Sequence, residues 1–87
     1  MPAFNLADYE IAVQQVLDAK ASTLGYDSCL SACSYKDSSV PQFAADAARF
    51  IAWRDACWAH CLTALADAES SGVWPELGDY LLTLPGF

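Results

Sequence analysis

Apolar residues recur at three- and four-residue intervals along most of this chain, which is the pattern of amphipathic helices. The longest such run is Pro41 to Ser70, PQFAADAARFIAWRDACWAHCLTALADAES, which opens on proline, has no internal glycine or proline and is dense in alanine. It predicts a single helix of roughly 45 Å at about 1.5 Å per residue. Advancing each residue by about 100° places Phe43, Ala47, Phe50, Ile51, Cys57, Trp58, Cys61, Leu65 and Ala68 on one broad stripe. Asp46, Arg49, Asp55, Ala56, Asp67 and Glu69 fall around the flanks and back. Arg54 projects near the middle of the stripe, where a charge needs a partner.

Three shorter elements complete the reading. A first helix spans about residues 6–21, capped by Asn5 or Asp8, with Leu6, Tyr9, Val13, Val16, Leu17 and Leu24 on one face and Ile11 on the other. Gly25 stops it, and Asp27 or Ser28 caps a second helix over about 27–34 whose inward residues are Tyr26, Cys29, Leu30 and Cys33. Residues 34–41, SYKDSSVP, read as the main loop. Ser70, Ser71 and Gly72 end the long helix. A last helix over about 75–84 then packs through Trp74, Leu77, Tyr80, Leu81 and Leu84, before Pro85 and Gly86 end it. The expected fold is all-α: one small domain, residues 1–87, built as a bundle of three to four helices with one long central helix.

Size and charge narrow the function. At 87 residues the core is small and benefits from disulfides, a metal or further subunits, so a homo-oligomer is compatible with it. A net charge of -7, with only Lys20, Lys36, Arg49 and Arg54 as cations, argues against nucleic acid and anionic membrane surfaces as partners. No basic, then apolar, export signal opens the chain and no stretch approaches a membrane span, so synthesis in the cytosol and reduced cysteines are expected.

Cys29 and Cys33 are four residues apart, as are Cys57 and Cys61, so each pair stacks on one helix face. Three arrangements fit: small core residues with free thiols, two interhelical disulfides, or one four-cysteine metal site, the last a poor match for mid-helix ligands. The spacing also resembles that of small chaperones of the mitochondrial intermembrane space, although the gap from Cys33 to Cys57 is longer than theirs. His60, the one histidine, has no nucleophile or carboxylate at a catalytic spacing, and no phosphate loop is present, so no enzymatic activity and no cofactor are expected. Arg54 has two readings. In one it ties down the turn Gly25 to Ser28 by pairing with Asp27 or with exposed carbonyls; in the other it lies in a groove and grips a partner's carboxylate or backbone. Trp53, His60, Trp74 and Ile11 are the candidate protein-interface residues, the tryptophans being either packing residues or interface anchors.

The stretches LDAKASTLGYDSCLSACSY (Leu17 to Tyr35), PQFAADAARFIAWRDACWAHCLTALAD (Pro41 to Asp67) and PELGDYLLTLP resemble a helical module of tail-associated proteins of bacteriophages and prophages. The most specific pieces are Gly25-Tyr26-Asp27-Ser28 and Trp53-Arg54-Asp55-Ala56-Cys57-Trp58-Ala59. In that family the module commonly forms the carboxy-terminal part of tail-fibre or tail-fibre-assembly proteins. The resemblance implies a non-enzymatic interaction module, a virion tail component or a tail-fibre assembly chaperone. Its partner would be a phage tail or tail-fibre protein, and its place the virion tail or the host cytoplasm during assembly. A thiol-based redox or metal-binding helical module using the paired cysteines is the competing expectation.

Overall fold

A computed structural model describes residues 6–87, with side chains from residue 7 onward. Four α-helices follow in order: α1 (Leu6–Thr23), α2 (Cys29–Cys33), α3 (Pro41–Ser71) and α4 (Leu77–Leu81). A 3-10 turn, Ser34–Asp37, extends α2 directly. Among the described residues there is no strand, and no helix is long and apolar enough to cross a membrane. The all-α bundle with one long helix is therefore the fold. The expected cap at Asn5 lies outside the described residues.

The long helix runs where its composition places it. Pro41 occupies the first turn, and Gly72, at φ 75, closes the other end by donating its N–H to the Ala68 carbonyl at 2.8 Å. A left-handed residue at this position suits glycine, which has no Cβ to clash. The end of α1 uses the same chemistry. Gly25 sits at φ 90, its N–H bonds the Ser22 carbonyl, and the Tyr26 N–H reaches back to the Ala21 carbonyl at 3.0 Å. This pair of bonds is a Schellman closure, and it turns the chain sharply toward α2.

The core lies between α1 and α3. Tyr9, Val13, Leu17 and Ala21, spaced four apart on α1, are fully buried against Phe50, Trp53, Cys57, Cys61 and Leu65 of α3. Burying a Val, Leu or Phe side chain contributes about 1.5–3 kcal/mol each, so this double row is the main source of stability. Tyr9, at the start of α1, donates its hydroxyl to the Pro75 carbonyl beyond the end of α3 and packs on Trp74 and Tyr80 at 5.6 and 5.3 Å. The two helices are thus antiparallel. The molecule is elongated, 50 × 19 × 17 Å, and its radius of gyration of 14.7 Å exceeds the ~12 Å of a compact domain of this length.

Several expectations are corrected. Residues 34–37 are helical rather than loop, because their carbonyls continue the short α2 with tighter bonds. The last helix is shorter than 75–84: after Leu81 the chain closes through i to i+3 bonds at Leu82, Thr83 and Leu84. Leu24 and Leu30, expected inside, are exposed, Leu30 by 75%. Leu24 falls in the turn after α1, and Leu30 stands at the solvent edge of α2. Phe43 is also 40% exposed, since only Tyr26 and Tyr35 cover the first turns of α3.

The segment after α4 contributes more to the core than its sequence suggests. Phe87 packs on Phe50 and Trp53 with ring centroids 4.6 and 5.2 Å apart. Arg49 lies over the Phe87 ring at 4.1 Å and donates to its main-chain oxygen, and Lys20 of α1 approaches the same ring at 4.9 Å. Two of the four cations thus hold this aromatic ring in place.

Candidate functional site

The side of α3 on which Arg54 sits is covered by α2 and the 3-10 turn, and these are too short to close over it. A crease of about 340 Å³ remains, lined by Leu30, Cys33, Ser34, Lys36, Ile51 and Arg54. Its geometry follows from the chain. The α2 segment is pinned at its start by two caps: Ser28, in extended backbone, accepts from the Ser31 N–H at 3.1 Å, and Asp18 of α1 accepts from the Cys29 N–H at 3.0 Å. Tyr26 ties the same turn to α3 by donating to Asp46 at 2.9 Å. These bonds fix Cys29 and Cys33 against the core and leave Leu30 and Lys36 on the outer rim.

The expected ion pair between Arg54 and Asp27 is not formed. Arg54 instead donates from Nε to Asp55 Oδ1 at 3.1 Å, with Nη2 3.0 Å from the same oxygen, and the two side chains are 35% and 66% exposed. The bond to Asp55 raises the guanidinium pKa further, against the opposing effect of burial, so its charge is permanent. The turn needs no help from Arg54 because Asp18 and Tyr26 already secure it. Of the two readings of this arginine, the groove is the one with a matching geometry.

The interface residues named from sequence separate. Trp53 is buried: its Nε1–H donates to the Pro85 carbonyl at 2.8 Å and its ring meets Phe87 edge-on, so it is a core residue. The segment after α4, through Pro85 and Phe87, covers it. Trp74 is half-buried on Tyr9, whereas Ile11 is 57% exposed, as its position opposite the core face requires. His60 is half-exposed and stacks on Tyr80 with centroids 5.9 Å apart. A second groove, about 290 Å³, is lined there by His60, Ala64, Pro75, Asp79, Tyr80 and Thr83. Thr83 gives its one hydroxyl proton to the Tyr80 carbonyl at 2.6 Å, so it accepts from His60 Nε2–H at 2.8 Å. An imidazole donating to a hydroxyl is not its general base.

All four cysteines are buried with free thiols, the first of the three arrangements. Cys29 and Cys33 neighbour one another and Arg54, while Cys57 and Cys61 flank Tyr80. Among the described residues no three histidine, cysteine or acidic side chains converge as a metal site would need. Burial, then the neighbouring Cys33, pushes the Cys29 thiol up to about 12, and burial also raises Cys57. These thiols are protonated and unreactive near neutrality. The Tyr80 hydroxyl is buried beside the Cys61 thiol, and its pKa is raised by burial and then by Cys61.

Sequence reasoning missed the exposed apolar face beside the crease. Tyr35 and Phe43 pack against each other at 5.3 Å and are each about two-fifths exposed, with Val40 between them in sequence equally open. Tyr35 and Val40 fall within the stretch read as loop, which gives no face on which to place them. Comparison with protein-family models, with curated proteins and with solved structures finds no match to this chain.

Proposed function

We propose that this chain is a non-enzymatic interaction module of a bacteriophage or prophage tail, serving as a virion tail component or as a chaperone in tail-fibre assembly. The observation that carries the interaction reading is the exposed aromatic pair Tyr35 and Phe43, packed on each other at 5.3 Å, with Val40 between them in sequence also open, where the chain enters the long helix. Partly exposed aromatics on a helical frame are low-entropy anchors, since little freedom remains to be lost on binding. The tail setting is supported by the resemblance of Gly25 to Ser28 and Trp53 to Ala59 to tail-associated modules. The thiol-based alternative finds little support in four buried thiols, of which burial raises the pKa of Cys29 and Cys57.

Mass spectrometry of purified virions, alongside affinity purification from host lysate during assembly, tests the proposal. Presence in the particle identifies a tail component. Co-purification with tail-fibre protein from lysate, with absence from the particle, identifies a chaperone. Neither association would overturn the reading.

A further inference from the structure

We propose that the crease between α2 and α3 is a receptor for an acidic segment of a partner protein, in which a carboxylate meets Arg54 and Lys36 while a neighbouring aliphatic side chain rests on Leu30 and Ile51. This inference rests on the interaction-module reading and names the chemistry of its partner. The argument begins with charge. The chain carries four cations against eleven acidic groups. Lys20 and Arg49 are occupied by Phe87. The remaining two, Lys36 and Arg54, both line one crease of about 340 Å³. Placing the two cations that do not stack on Phe87 at one concave site of an acidic molecule complements an anion and repels a second cation.

The lining settles which anion. Leu30 is 75% exposed and Ile51 half-buried, so the cations stand beside apolar surface, which suits a carboxylate on a protein segment better than a bare inorganic ion. Arg54 retains capacity for it. Asp55 engages Nε and Nη2 through a single oxygen, leaving the Nη1 hydrogens and the second Nη2 hydrogen of the fork. Asp55 is mostly exposed, and a pair that open to solvent is displaced at small cost.

The test is a titration of the intact protein with the peptide acetyl-Leu-Glu-Leu-Glu-amide and its glutamine counterpart, followed by amide chemical-shift mapping. The glutamate peptide is expected to shift the amides of Ser34, Lys36, Ile51 and Arg54, and to lose binding at ~1 M salt, where screening acts within about 3 Å. Arg54→Gln is expected to weaken binding about tenfold or more, and Asp55→Ala to tighten it about threefold by freeing the guanidinium. Should Arg54→Gln fail to fold, Lys36→Gln on the exposed rim supplies the same comparison. Equal binding of the glutamine peptide, no binding of either, or unchanged affinity in both charge variants would overturn the proposal. Tail association without peptide binding removes the crease and keeps the module; peptide binding without tail association does the reverse.

Discussion

Trp53 and Arg54 are neighbours in sequence whose roles exchange once the fold is in view. Trp53 is enclosed by Phe50, Phe87 and the Pro85 carbonyl, so Trp53→Phe is expected to cost about 1–3 kcal/mol by leaving that carbonyl only the weak Cys57 thiol as a donor, at 3.9 Å, and a small void beside it. A urea midpoint unchanged by the substitution would contradict this. Arg54 is partly exposed and bonded only to the adjacent Asp55 among the ion pairs of the described residues, and such a pair is screened by solvent. Arg54→Lys should therefore leave stability within about 0.5 kcal/mol of the parent, measured by the same titration. The helical wheel correctly placed Arg54 on the covered side of α3. It could not reveal that the covering layer there is two turns long, nor that the last residues wrap around Trp53, because neither fact is periodic.

At the level of elements, the dependence of α2 on its neighbours is the most testable relation. Five residues are too few to be stable as an isolated helix, so α2 persists through its caps and its buried Cys29, Ala32 and Cys33. Asp18→Ala removes the acceptor for the Cys29 N–H and is expected to cost about 0.5–2 kcal/mol, with Asp18→Asn recovering most of it. Hydrogen exchange should place the loss first at residues 29–37. This contrast explains what was legible beforehand. The long helices announced themselves by many turns of consistent period, and their ends by Pro41, Gly72 and Gly25. The short ones, α2 and α4, give too few turns to separate inside from outside, which is why Leu30 was misplaced and Leu82, 85% exposed, went unremarked. In the candidate site, Arg54 was conspicuous from its position, whereas Lys36 and Tyr35 were hidden within an apparent loop.

For the whole molecule, the buried acidic groups set a limit on the alkaline side. Unfolded, the Cys29 thiol ionises near its ordinary 9.0; folded, it does so at about 12. Between these values the unfolded chain binds fewer protons than the native one, so stability falls as pH rises through the window and is unaffected below it. Cys57 and Tyr80 shift in the same direction and add to the slope. The urea midpoint is expected to be flat from pH 7 to about 8 and to decline above about 9, less steeply in Cys29→Ala. A midpoint independent of pH across that range would refute the assignment.

The same four thiols make the protein a clock of its own breathing. Closed, all four are shielded by the core, so a small alkylating reagent can reach each one only during the moments when its surroundings part. Cys29 and Cys33 sit on a five-residue helix that depends on its caps, and Cys57 and Cys61 in the middle of the longest. Time-resolved labelling read by peptide mass should therefore show two rates, the first pair modified well before the second. One shared rate would mean that the rod opens only as a unit.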